Sequence, residues 1–178
     1  DTVSGSVTAF GTDGFTVGAD AGVNANTETF VSWNWKANGA GSSNTDGDIN
    51  STVSVNTTAG FSIVSYGGNL GGSGAATVGH GLGVAPKMVI IKNTNNTGEW
   101  GVLHSGLTSF NYILTLNSNA AQIDKSGNGS MSAPTSTVFS TNYTNALNVS
   151  GRTYIAYCFA EKTGYSKFGK YTGNGSSD

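Results

Sequence analysis

The residues of this chain that could do acid–base or nucleophilic chemistry are few: His80 and His104 are its only imidazoles and Cys158 its only thiol. A catalytic base or nucleophile needs a neighbouring carboxylate or hydroxyl and a third group to orient it. Neither histidine lies in such a motif. His80 sits in Val78-Gly79-His80-Gly81-Leu82-Gly83-Val84-Ala85-Pro86. Alternating glycines can cradle phosphate when a helix follows them. Here the next run, Lys87-Met88-Val89-Ile90-Ile91-Lys92, reads as a strand, so a tight strand-to-strand turn is expected. Cys158 lies in the apolar run Tyr154-Ile155-Ala156-Tyr157-Cys158-Phe159 and is expected to be a buried structural thiol, with no partner for an intrachain disulfide. Glu28, Glu99 and Glu161 occupy unrelated contexts, which gives no paired-carboxylate site. The expectation is a non-enzyme without catalytic residues or cofactor.

Two weaker chemistries remain. Asn44-Thr45-Asp46-Gly47-Asp48-Ile49-Asn50 alternates oxygen-bearing side chains as a calcium loop does at its start, but lacks the closing bidentate Glu. A polar turn is expected, with Asp46 and Asp48 as weak calcium candidates. Aromatic side chains stack on sugar rings when exposed, and Trp100, Tyr112 and Tyr143 are the candidates for glycan contact, core packing being the competing role.

The elements that must position these residues are strands. Helical periodicity is hard to find, whereas short β-branched and aromatic runs recur between Gly, Asn, Asp and Ser clusters. The expected strands are 3–10, 14–17, 29–35, 51–55, 61–66, 75–78, 87–93, 100–104, 111–116, 137–139, 153–159 and 166–171. Asp13-Gly14 marks a hairpin, since Gly tolerates the positive φ of two-residue turns. In Phe30-Val31-Ser32-Trp33-Asn34-Trp35, alternation puts Val31, Trp33 and Trp35 on one apolar face that must be covered. Many short strands with polar turns predict an all-β, antiparallel sandwich, with a jelly roll as one version.

Charged residues make up 10% of the chain, against about 25% in ordinary domains, so solubility rests on hydroxyls and amides. The net charge is −2 and the eight Lys and Arg residues are scattered, which argues against a nucleic-acid partner. No apolar run approaches the roughly 20 residues of a membrane helix, and no membrane partner is expected.

The chain also repeats itself. Thr29-Phe30-Val31-Ser32-Trp33-Asn34-Trp35-Lys36 aligns with Thr153-Tyr154-Ile155-Ala156-Tyr157-Cys158-Phe159-Ala160. Before each copy comes a Thr-rich strand with Phe10 or Phe139, then a loop holding Val23-Asn24 or Asn148-Val149. Gly60-Phe61-Ser62 with Tyr66 and Asn69 likewise matches Gly164-Tyr165-Ser166 with Tyr171 and Asn174. The reading is a duplicated β unit of about a hundred residues. It divides the chain into 1–36, a partial unit of closing strands; 37–58, a polar linker or long loop; 59–163, a complete sandwich unit; and 164–178, the start of a further unit or a strand-exchange segment.

The segments Gly60-Phe61-Ser62-Ile63-Val64-Ser65-Tyr66 and Gly79-His80-Gly81-Leu82-Gly83-Val84-Ala85-Pro86-Lys87-Met88-Val89-Ile90-Ile91-Lys92-Asn93, with the strand from Tyr154 to Glu161 and the restart Gly164-Tyr165-Ser166-Lys167-Phe168-Gly169, resemble a repeat module of virion surface proteins of marine and cyanobacterial phages. The resemblance covers nearly the whole chain and implies a tail, fibre or other surface location, beside lectin-like domains, with no catalytic residue to carry over. It implies other virion proteins, copies of this chain and host surface glycan as partners, with a homo-oligomer, a trimer first, as the assembly. A capsid decoration protein, a secreted bacterial adhesin or carbohydrate-binding module, and a hydrolase hidden in an all-β fold are the competing readings.

Overall fold

The computed structural model describes residues 5–176, which form two compact units, Asp1–Trp35 and Lys36–Asp178 within those limits. Val3 and Ser4, the start of the first expected strand, lie outside the described residues.

In the smaller unit, β1 (Val7–Phe10) pairs antiparallel with β2 (Phe15–Val17), Phe10 opposite Phe15. The hairpin is as expected, but its chemistry is not. The Gly11 N–H donates to the Gly14 carbonyl at 2.7 Å, so Thr12 and Asp13 form the tip, and Gly14 is not in the positive-φ region. A one-turn helix, α1 (Ala21–Asn24), follows, with Asp20 accepting from the Gly22 N–H at 3.0 Å as its N-cap. The expected strand at 29–35 is absent: these residues belong to no ladder, and all are exposed. An isolated extended segment has no partner to take its alternate N–H and C=O groups, so water takes them instead.

The larger unit is a β-sandwich. One layer holds eight antiparallel strands in the order β10 (Ile123–Asp124), β9 (Tyr112–Thr115), β8 (Trp100–His104), β7 (Met88–Asn93), β12 (Thr153–Phe159), β5 (Phe61–Gly67), β4 (Ser51–Asn56), β3 (Ser42–Asn44). The other is the antiparallel pair β6 (Ala75–Gly79) and β11 (Val138–Asn142). The stretch 37–58, expected as linker or long loop, is instead built into the large sheet. It supplies β3 and β4, and Ser54 Oγ accepts from the Asn38 N–H and donates to the Gly39 carbonyl. The complete unit therefore begins near residue 36 rather than 59. The expected strand 166–171 is also absent; Ser166 makes only an isolated bridge to Lys162.

The core lies between the layers. Val78 of β6 and Phe139 of β11 pack over Val64, Tyr66, Ile91, Tyr154, Ala156 and Cys158, all buried. Tyr66 stacks on Tyr154 at 5.2 Å and meets Phe139 edge-on at 6.2 Å. Fully burying each large apolar side chain here stabilises the fold by about 2–3 kcal/mol. The two hydroxyls at the core margin stay satisfied: Tyr66 donates to the Leu147 carbonyl at 2.7 Å and Tyr154 to the Asn145 carbonyl at 3.3 Å.

Candidate functional site

Alternation in a strand sends odd and even residues to opposite faces. In β7, Val89, Ile91 and Asn93 point to the core and are buried, while Met88, Ile90 and Lys92 point outward and are half-buried. The same holds in β12, where Tyr154, Ala156 and Cys158 face in and Ile155 and Tyr157 face out. Registers then assemble one apolar row across five strands of the outer face: Ile63 opposite Tyr157, Tyr157 opposite Ile90, Ile90 opposite Val102, Val102 opposite Leu114. A flanking row runs Phe61, Phe159, Met88, His104, with Phe61 and Phe159 in contact at 5.1 Å. The opposite flank runs Ser65, Ile155, Lys92, Trp100, and the Lys92 ammonium sits 6.0 Å from the Trp100 ring centroid.

One end of this face is covered by the chain itself. Phe168 packs on Phe159 at 5.9 Å, Ser166 Oγ donates to the Ala160 carbonyl, and the Phe168 N–H donates to Glu161. The row from Ile63 to Leu114 stays half-buried apart from Val102, which is buried. A continuous apolar run such as Met88-Val89-Ile90-Ile91 is what a strand covered on both faces carries.

The structure brings two of the three glycan candidates to this face. Trp100 lies to one side of the Val102–Leu114 pair and Tyr112, opposite Asp124, to the other, roughly 13 Å apart at the usual rise of a strand. Tyr143 is elsewhere, on the turn after β11, its N–H donating to the Gly74 carbonyl at 3.2 Å.

The calcium candidates are engaged locally. Asp48 Oδ2 accepts from the Thr77 hydroxyl at 2.8 Å and the Thr77 N–H at 2.9 Å, bonds that hold its carboxyl below the ordinary value. Asp46 accepts from the Asn44 amide at 2.9 Å. Among the described residues, no three His, Cys, Asp or Glu side chains converge on a metal position. Both carboxylates clasp the 44–50 turn, Asp48 to β6 and Asp46 to Asn44.

His80 is buried in the turn leaving β6, where Gly81 has φ 69°. Its Nδ1 accepts from the Leu82 N–H at 3.1 Å and its Nε2 donates to the Thr135 carbonyl at 3.2 Å, so the ring ties two loops together in its neutral form. Desolvation lowers its pKa below 6.5, against smaller raising contributions from the Thr135 bond and Asp46. His104 accepts from the Gly106 N–H at 2.9 Å. Burial pushes the Cys158 thiol up to about 12, which removes it as a nucleophile at neutral pH.

Two features were missed in the sequence. The outer row is one, although the unbroken apolar runs of β7 and β12 signalled it. Asn148 is the other: fully buried, it accepts from the Asn69 N–H at 2.8 Å and donates to Asn69 Oδ1 and Thr141 Oγ1, both at 3.1 Å. Its repeat partner Asn24 was the available signal. An open polar notch of about 320 Å³ beside β3, lined by Asn38, Ser42, Asn44, Val53 and Gly81 among others, holds no titratable group. Among the described residues, no helix is long and apolar enough to cross a membrane.

The profile of a domain of unknown function, DUF7483, matches residues 1–178, and the chain belongs to that family. No curated protein and no solved structure matches it.

Proposed function

From that membership we propose that the chain is a structural module of a bacteriophage virion surface, on a tail or tail fibre, and that the outer face of its large sheet seats against a neighbouring virion protein. The observation that carries the docking reading is the row Ile63, Tyr157, Ile90, Val102, Leu114, apolar across five strands. Contiguous apolar surface of this kind marks an interaction site. The virion location rests on the resemblance of the β5, β7 and β12 segments to phage surface modules. Cryo-EM of particles carrying a tagged copy is the test of place: density on the tail supports the reading, density confined to the capsid lattice replaces it with a decoration protein. For the face, Ile90→Lys is expected to leave the chain folded and abolish its incorporation into particles. Normal incorporation would sink the docking reading.

A second reading, glycan binding by an attachment protein or secreted adhesin, is favoured by one observation: Trp100, with Lys92 at its ring, and Tyr112 share this face. It predicts that glycan-array binding is lost in Trp100→Ala and in Tyr112→Ala but kept in Tyr143→Ala.

A further inference from the structure

The segment 29–35 repeats β12 at a fixed offset of 124 residues (154 − 30), and 165–169 repeats the start of β5 at an offset of 104 (165 − 61). In the larger unit these two originals are neighbours, paired antiparallel along their whole length from Phe61 opposite Phe159 to Gly67 opposite Thr153. Their copies carry the same two strand patterns and form no ladder. We infer that 29–35 of one copy of the chain pairs antiparallel with 165–171 of a second copy, in the register of β12 with β5.

The register is fully specified by transfer. Tyr165 falls opposite Trp35, Lys167 opposite Trp33 and Gly169 opposite Val31, from the pairs Phe61–Phe159, Ile63–Tyr157 and Ser65–Ile155. Lys170 is an added residue relative to β5, after which Tyr171 takes the place of Tyr66 against Phe30. Side-chain sizes complement one another on both faces. Phe168 meets the small Ser32 as Val64 meets Ala156, and Ser166 meets Asn34 as Ser62 meets Cys158. On the other face Lys167 lies over Trp33, a cation–π pairing like that of Lys92 with Trp100.

The exposures fit an unfilled pairing. Phe30 is 49%, Val31 73% and Trp33 75% exposed, and Tyr165 and Tyr171 are 66% and 93% exposed. Strand pairing would bury these rings and satisfy two sets of backbone groups at once. Because donor and acceptor segments differ, the contact is heterologous. The inference does not depend on the virion reading, since it concerns the chain alone in solution.

The test is charge reversal at one register position, read by sedimentation of the purified chain over a wide concentration range. The chain is expected to self-associate, and Trp33→Lys, which places a cation against Lys167, to weaken association about tenfold or more. Lys167→Glu added to Trp33→Lys is expected to restore it. Both sites are exposed, so circular dichroism should show the larger unit unchanged in either variant. A chain monomeric throughout, an unaffected Trp33→Lys or an absent rescue would each overturn the inference; a failed rescue alone would remove the register.

Discussion

Residues 15–35 and 139–159 are two versions of one sequence pattern with opposite fates. At the common offset Phe15 aligns with Phe139, Val23 with Leu147, Asn24 with Asn148 and Phe30 with Tyr154, which places Phe15, rather than Phe10, opposite Phe139 in the repeat. In the second copy, Phe139, Leu147, Asn148 and Tyr154 are all buried; in the first, Phe15 is 39% and Phe30 49% exposed. The local propensities are alike. What differs is that β12 has β5 and β7 on its two sides, whereas 29–35 has no ladder on either. Strand formation here is decided by available partners, as expected when β propensity mostly reports packing.

The comparison also separates the two faces of the strand. The core-facing positions Ala156 and Cys158 become Ser32 and Asn34 in the exposed copy, whose Asn34 amide donates to Ser32 Oγ at 3.1 Å. The outer positions Ile155, Tyr157 and Phe159 become Val31, Trp33 and Trp35. The large apolar side chains are kept on the outward side in both, which agrees with a partner on that side.

The sharpest way to break the comparison is to truncate equivalent rings. Tyr154→Ala is expected to cost about 3–5 kcal/mol in urea unfolding, by cavity formation and loss of the acceptor for the Val149 N–H at 3.0 Å. Phe30→Ala should cost less than about 0.5 kcal/mol. Equal costs would mean that the two copies are packed alike.

A smaller difference is expected for the paired asparagines. Asn148→Ala leaves the Asn69 N–H and the Thr141 hydroxyl without this partner and should cost about 2 kcal/mol. Asn24→Ala removes one exposed bond, to the Gly18 carbonyl, and should change stability by only a few tenths of a kcal/mol. Calorimetry of the two variants checks both.

The smallest effect is a pH slope confined to the larger unit, because the His80 turn has no counterpart in 15–35. The folded pKa of His80 is lowered, so between it and the unfolded value near 6.5 the unfolded state binds more protons. The contribution is full above pH 6.5 and is lost as pH falls through the folded value. His80→Asn, which keeps an acceptor for the Leu82 N–H, should flatten that slope in denaturation midpoints measured across the acid range.

Much of the fold was legible where apolar alternation decides it: strands 100–104 and 153–159 appear at their expected limits. β3 was not, because Ser42-Ser43-Asn44 has nothing apolar and joins the sheet through backbone pairing to β4. The strand at 29–35 was misread because its residues state a preference that only a neighbour can satisfy. The site was half legible. Trp100 and Tyr112 were recognisable as candidates, but their shared face follows from the β8–β9 register, and the apolar row joins residues from Ile63 to Tyr157 that no local pattern connects.

The position of β12 has a kinetic consequence. It is the last strand of the chain's twelve, yet it enters the middle of the eight-stranded sheet. Until it arrives, β3–β5 and β7–β10 are two separate half-sheets, each with an open apolar edge. Such non-local closure is slow to fold. During synthesis those edges wait for residues 153–159, and the speed with which that one strand is captured sets how long the half-finished sheet is exposed to aggregation.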